Sequence, residues 1–340
     1  MPKLPKKLRN LFKKKKKGVD AADYEQMVER HQVEEVLKDP TKLAFRVQLA
    51  HGSPTTNVSN FANIAQLYDR LGTVLNVSES SILFCTINNY AVDMECLIGG
   101  TINMDDFIYV HIAGKTKEVT VNKSEAAIGI TITDNGNGKA LVKRVKPESV
   151  ASKHKEIMPG DHIHSINGES MVGSRHYEVA KVLKSLPVGV NFKVVLIEPR
   201  KEFDQIAPRS QLGKTTAASN LARTLSGRVS LRLRRDGNAA VTDMPSDFDL
   251  RATKEVDDLL ENYLGIRDSE MATSIVEVYK EKSSHMADFA ESLKTKFLVD
   301  LISENEKLLY SLWSKLGEIK RSNPTLADLS QKQNFEDESD

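Results

Sequence analysis

The sequence predicts a multidomain α+β protein, on three observations. Short apolar–polar alternations bracket a single helical stretch early in the chain. A strand-rich middle is entered through a glycine-centred loop. Beyond Ser246 alternation ceases and only helical spacing remains. The chain has 340 residues, room for roughly two or three domains of about 100–150 residues each.

Residues 1–39 read as a basic tail and a short helix. In the tail Leu4, Leu8, Leu11 and Phe12 recur at i, i+4, i+7 and i+8 among Lys6, Lys7, Arg9 and Lys13–Lys17. That pattern fits an interfacial helix on an anionic membrane surface and a solvated basic tail or nuclear-import-like run equally well. In residues 40–115, Leu43, Phe45, Val47 and Leu49 alternate as a strand, and Phe61, Ile64, Leu67, Leu71 and Leu75 have helical spacing. "SILFCTI" and "DDFIYVHIAG" read as further strands. The order strand, strand, helix, strand, strand predicts an N-terminal ubiquitin-like β-grasp-type domain.

Residues 116–198 hold several strands and two helical stretches. Residues 199–246 form a linker in which Val229, Leu231 and Leu233 share a face, followed by Gly237-Asn238 and Ala240-Val241, a β-hairpin. A hairpin alone is marginally stable, so its apolar face is expected to pack on the 116–198 domain just before it. In residues 247–321, "SDFD" fits a helix start, Gly265 a stop, Asp268-Ser269 a restart, and Ser303 with Glu306 another capping box. These predict a C-terminal α-helical bundle of about four short helices. Residues 322–340 form an acidic tail expected to be disordered.

Lys and Arg number 48 against 47 Asp and Glu, a net charge of +1. No chain-wide attraction to nucleic acid follows, and no base-reading motif stands out, so no nucleic-acid partner is expected. No apolar run approaches the ~20 residues that span a bilayer. With a start at Met1-Pro2 and no apolar stretch after it, neither a signal peptide nor myristoylation is expected. Cys85 and Cys96 are the only cysteines, which fits a reducing cytosol.

The stretch "SEAAIGITITDNG" carries the chemistry. Ala127, Ile128 and Gly129 precede the alternating Ile130, Thr131, Ile132, Thr133 and Asp134. Free backbone N–H groups in such a loop form a nest that holds an anion without a charged side chain. A peptide can then add as a strand to the edge that begins at Ile130. Downstream come Gly160-Asp161, Ile163, Ile166 and Asn167-Gly168. "SRHYEVAKVLKSLPVG" then gives a helix with His176, Ala180 and Leu183 on one face. In order and spacing these closely resemble a PDZ domain.

The resemblance implies a partly open β-barrel with two helices and a peptide groove between the second strand and the second helix. Ala127-Ile128-Gly129-Ile130 stands where the family has Gly-Leu-Gly-Phe, with Ala127 replacing the first glycine. Thr131 and Ile132 would continue the edge, and Lys123 would assist carboxylate binding. His176 would meet a Ser or Thr hydroxyl two residues before the peptide's end, and Val179, Ala180 and Leu183 would wall the groove.

Other motifs fall short. "LGKTT" resembles a phosphate loop but has Pro208 where that loop needs glycine. Asp134 is the only carboxylate of "DNGNGKA", too few for calcium. His154, His162 and His164 lack a further metal ligand. No triad or paired carboxylates point to catalysis. Neither an enzyme nor a cofactor is expected.

"EVDDLLENYLGIRDSEMATSIVE", "SRHYEVAKVLKSLP" and "IEPRKEFD" resemble the GIPC (synectin or kermit) family of PDZ adaptors, across residues 40–320. That resemblance implies a non-enzymatic, cytoplasmic, homodimeric adaptor, peripheral on endocytic vesicles and the plasma membrane. Its groove would hold C-terminal tails of transmembrane receptors. Its C-terminal helices would bind the cargo-binding tail of myosin VI, through Val256, Leu259, Leu260, Tyr263, Ile275 and Val278, and so couple cargo to actin-based transport. The alternative is a PDZ scaffold at the membrane, acting without a motor through its polybasic start. The lysine-rich "KEKSSHMADFAESLKTKF" departs from the family's pattern.

Overall fold

The computed structural model describes residues 39–201, 229–233, 237–243, 245–282, 285–297 and 305–322. The basic stretch holding Leu4, Leu8, Leu11 and Phe12, the short helix before Asp39, Ser303 and the acidic tail lie outside the described residues.

Phe45, Val47 and Leu49 of β1 (Phe45–Leu49) are buried and Arg46 is exposed, the alternation of a strand with one covered face. β1 pairs antiparallel with β2 (Thr56–Val58) and parallel with β5 (Phe107–Asn122), and β3 (Ile82–Ile87) takes the other side of β5. α1 (Ile64–Leu75) buries Ile64, Leu67, Tyr68 and Leu71 against this sheet. Asn63 Oδ1 accepts from the Gln66 N–H at its start, and Asn76 ends it at φ 54°.

β5 runs on through residue 115 without a linker. Its first half pairs with β1 and β3, and its second with β10 (Asn191–Pro199). From β10 the sheet passes to β8 (His162–Ile166), which also pairs with the short β9 (Glu169–Ser170), and on to β7 (Ala140–Val145) and β6 (Ile130–Asp134). Leu83, Phe84, Met94 and Leu141 fill the corner between the N-terminal and central units. Across that corner Asn135 and Lys139 donate to the carbonyls of Leu83 and Ile82, at 2.8 and 2.7 Å. The central unit carries one α-helix, α2 (His176–Ser185). The other helical stretch expected there is a single 3₁₀ turn, Ala151–Lys153.

β11 (Val229–Arg232) and β12 (Ala240–Asp243) form the expected hairpin, but it does not pack on the central unit. β11 pairs with β4 (Thr101–Asn103), and Leu231 and Leu233 are buried in the N-terminal core with Ile98, Ile102 and Met104. The three residues of β4 are an unpaired edge without it, and an edge is the surface a hairpin strand extends.

Four helices follow among the described residues: α3 (Asp247–Leu264), α4 (Ser269–Glu281), α5 (Met286–Phe297) and α6 (Glu306–Ser322). Ser246 and Asp249 make the expected capping box of α3, and Gly265, at φ 72°, ends that helix. The inward faces of these helices share one apolar cluster with Ile128, Ile132 and Val142 of the central unit. No described helix is long and apolar enough to cross a membrane.

Candidate functional site

The site is the channel between β6 and α2. Gly129 at its mouth has φ 80°, and a Cβ there would lie 2.1 Å from the Cβ of Ser149, so only glycine fits. The carbonyls of Ile128 and Gly129 accept from the N–H groups of Ala151 and Lys146 at 2.9 and 2.8 Å. In a trans peptide the N–H opposes the carbonyl, so the N–H groups of Gly129 and Ile130 face the other way. They face a cavity of ≈ 540 Å³ lined by Ala127, Ile128, Gly129, Ile130, Ala180 and Leu183. This end of the channel is an apolar pocket topped by a nest of donors.

The other end is filled by the chain itself. The Ile132 N–H donates to the Gly265 carbonyl at 3.1 Å, and the Ile132 carbonyl accepts from the Arg267 N–H at 3.0 Å. Ile132 and Ile266 thereby form a parallel β-bridge. The turn between α3 and α4 sits where an added strand would lie. Beside it the Thr131 hydroxyl donates to Glu261 Oε1 at 2.6 Å, and Arg144 Nη1 to Glu261 Oε2 at 3.2 Å. Arg267 binds three carboxylates of its own helical region, those of Asp257, Asp258 and Glu261.

His176 opens α2 and is fully buried. Its Nδ1 lies 2.6 Å from Asp134 Oδ2, which also accepts from Arg175 Nε at 2.8 Å. Its Nε2 is buried with no hydrogen-bond partner, 3.6 Å from Asp268 Oδ2. Burial favours the neutral ring, but the bond and charge of Asp134 and the charge of Asp268 outweigh it and raise the histidine's pKa. Burial pushes Asp134 up in turn, and the bonded His176 and the charge of Arg175 hold it well below the usual carboxylate range.

The structure therefore brings Ala127, Ile128, Gly129, Ile130, Ala180 and Leu183 together as the pocket, with Ile132 as the pairing edge and His176 at the far end. Thr131 borders the same cavity, with its hydroxyl bonded to Glu261. Two expectations are corrected. Lys123 Nζ donates to the carbonyls of Leu183, Lys184 and Leu186, at 2.9, 2.9 and 2.6 Å. All three ammonium donors close the end of α2, and none is left for a peptide carboxylate. Val179 is wholly buried in the core and does not border the cavity, which Ala180 and Leu183 do.

The six residues assigned to a motor are corrected in part. Val256, Leu260, Ile275 and Val278 are buried inside the helical region, because apolar periodicity marks the face turned to the core. Leu259 is half-buried, and Tyr263 is partly exposed with its hydroxyl 2.9 Å from Ser311 Oγ.

Sequence reasoning missed Asp134, Arg144, Arg175, Glu261 and Asp268 as members of the site. Asp134 was legible, since alternation from Ile130 and Ile132 carries it to their face. The others meet the groove only through contacts between distant segments.

Comparison with known proteins places these features. Residues 44–110 match the family model of the GIPC1-3 GH1 domain, residues 118–195 that of the PDZ domain and residues 227–319 that of the GIPC1-3 GH2 domain. The human PDZ domain-containing protein GIPC1 is 45% identical over 279 residues, 82% of this chain and 82% of the relative. The mouse PDZ domain-containing protein GIPC3 is 43% identical over 277 residues, 82% of this chain and 91% of the relative. Among solved structures, the PDZ domain from choanoflagellate GIPC bound to GAIP peptide is 41% identical. It covers 27% of this chain and 100% of its own, with a TM-score of 0.26.

Proposed function

The chain belongs to the GIPC family of PDZ-domain adaptors, and from that premise we propose that its groove receives the free C-termini of transmembrane receptors while its C-terminal helices engage the tail of myosin VI. The observation that carries the groove reading is the pairing of Ile132 with Gly265 and Arg267. It marks a strand edge able to take an added strand, with a donor nest at one end and the unbonded Nε2 of His176 at the other. A peptide's carboxylate suits the nest, its last apolar side chain the pocket, and a Ser or Thr hydroxyl the histidine.

The order of β2, β1, β5 and β3 around α1 supports a β-grasp reading of the N-terminal unit. The family resemblance extends the reading to a homodimer on endocytic vesicles. Since Gly265–Asp268 covers half of the edge, a receptor tail competes with it, and full entry displaces the α3–α4 turn. The α3–α4 turn leaves the groove in the same event, while the hairpin keeps the helical region tethered to the N-terminal unit.

Calorimetry on the full chain tests the groove. Peptides ending in Ser/Thr-x-small-apolar should bind at about micromolar affinity, roughly −8 kcal/mol, and amidation of the terminal carboxylate should abolish binding. Equal affinity of amidated and free peptides overturns the reading.

A further inference from the structure

The nest and the Ile132 edge together fix the register of any peptide in the groove. With its carboxylate on the N–H groups of Gly129 and Ile130, a peptide running antiparallel to β6 brings its third-last residue opposite Ile132. Its penultimate residue then lies opposite Thr131. Alternation turns that side chain away from α2, to the side of the cavity that Thr131 and Arg144 border.

What waits there is already a receptor for a carboxylate. Thr131 and Arg144 are direct cross-strand partners, and between them they hold Glu261, one oxygen each. The Thr131 residue is buried, so its hydroxyl is not freely exchanged with water. Arg144 is oriented from behind. Its Nε and Nη2 donate to Glu95 Oε1 of the N-terminal unit at 2.9 and 2.5 Å, which leaves Nη1 for the groove side. Lys146 lines the same flank and adds positive charge. When the α3–α4 turn leaves, Glu261 leaves with it, and the hydroxyl and Nη1 lose their acceptor.

We propose that Thr131 and Arg144 form a seat for an acidic side chain at the penultimate position of an incoming C-terminal peptide, the seat that Glu261 fills while the groove is closed. The proposal rests on the groove reading above and adds a specificity-determining pair to it. It also joins recognition to opening, because the peptide's carboxylate and that of Glu261 compete for the same two donors. A penultimate lysine would meet Arg144 and Lys146 and be disfavoured.

The test is calorimetry on the full chain with three peptides that differ only at the penultimate position, ending Thr-Glu-Val, Thr-Gln-Val and Thr-Lys-Val. The glutamate peptide is expected to bind about 5- to 10-fold tighter than the glutamine peptide, the scale of one charge-assisted bond at a partly exposed site. The margin should narrow at high salt. Arg144→Gln also loosens Glu261, so the ratio of the two affinities is read and not either alone. That ratio should fall to near one in Arg144→Gln and persist in Glu261→Gln, where both peptides bind more tightly. Equal binding of the glutamate and glutamine peptides to the unaltered chain overturns the seat and leaves the groove reading standing. A preference that survives Arg144→Gln overturns the assignment to Arg144. If none of the free-carboxylate peptides binds, the groove reading fails and the seat falls with it.

Discussion

Asp268 serves two sites with its two oxygens. Oδ1 accepts from the Met271 N–H at 2.9 Å and caps α4, while Oδ2 faces His176 Nε2 and Arg175 Nη2. An N-cap is local and readable from sequence. The second role exists only because Gly265, at φ 72°, turns the chain so that Ile266 reaches β6. The groups around the imidazole are Asp134 on β6, Arg175 before α2 and Asp268 before α4, and the two carboxylates outweigh burial and the guanidinium. The folded pKa of His176 is thus above its unfolded value. Its contribution to stability is complete below about pH 6.5, the ordinary histidine value, and is lost as pH rises through the higher folded value. His176→Gln should therefore lower the melting temperature of the full chain more at about pH 6 than at about pH 9. A deficit that does not change with pH would mean that His176 acts by shape and neutral hydrogen bonding alone.

At the level of elements, α2 is positioned by a residue far from it in sequence. Lys123 leaves the end of β5 and binds three carbonyls at the C-terminal end of the helix, where a cation also suits the helix dipole. Lys123→Met should destabilise the protein by about 2–3 kcal/mol, since charge-assisted bonds to buried carbonyls are lost, and chemical denaturation measures this. The variant separates two roles. If Lys123 holds the helix, peptide affinity falls but free carboxylate is still favoured over amide. A vanished preference would return Lys123 to the anion site. The loop at Gly129, the strand after it and the face of Ala180 and Leu183 were legible because their meaning lies in consecutive or periodic residues. The partners of Lys123 and the β4 edge that receives β11 were not, because pairing between distant segments leaves no local mark. The buried Val256, Leu260, Ile275 and Val278 show the converse. Periodicity found the right face of each helix, but that face packs within the protein and does not by itself point to a partner.

Across the whole molecule, closure depends on contacts that cross all three units. Arg144 of the central unit binds Glu95 of the N-terminal unit and Glu261 of the helical one. The hairpin docked on β4 leads into Ser246 and the start of α3, and Arg232 on it binds Glu277 on α4. The helical region would therefore stay anchored beside the groove if the α3–α4 turn were displaced. The internal segment acts at high effective concentration and rebinds readily. On the proposed function a receptor peptide would have to overcome that tether, and a partner that prefers the displaced helices would lower the cost of doing so. If the myosin VI tail is such a partner, linkage makes the effect reciprocal: a receptor peptide raises affinity for the motor tail, and the motor tail raises affinity for the peptide by the same factor. Coupling of about 1–3 kcal/mol would give roughly 5- to 150-fold. Titrating the motor fragment into the full chain with and without saturating peptide measures that factor, and the reverse titration must return it. Glu261→Gln removes one closing contact and should shrink the factor from both directions, because a groove already ajar leaves less for either partner to release. Identical dissociation constants in the unaltered chain would mean that the groove contact and the motor surface are independent, and that the adaptor only bridges its two partners.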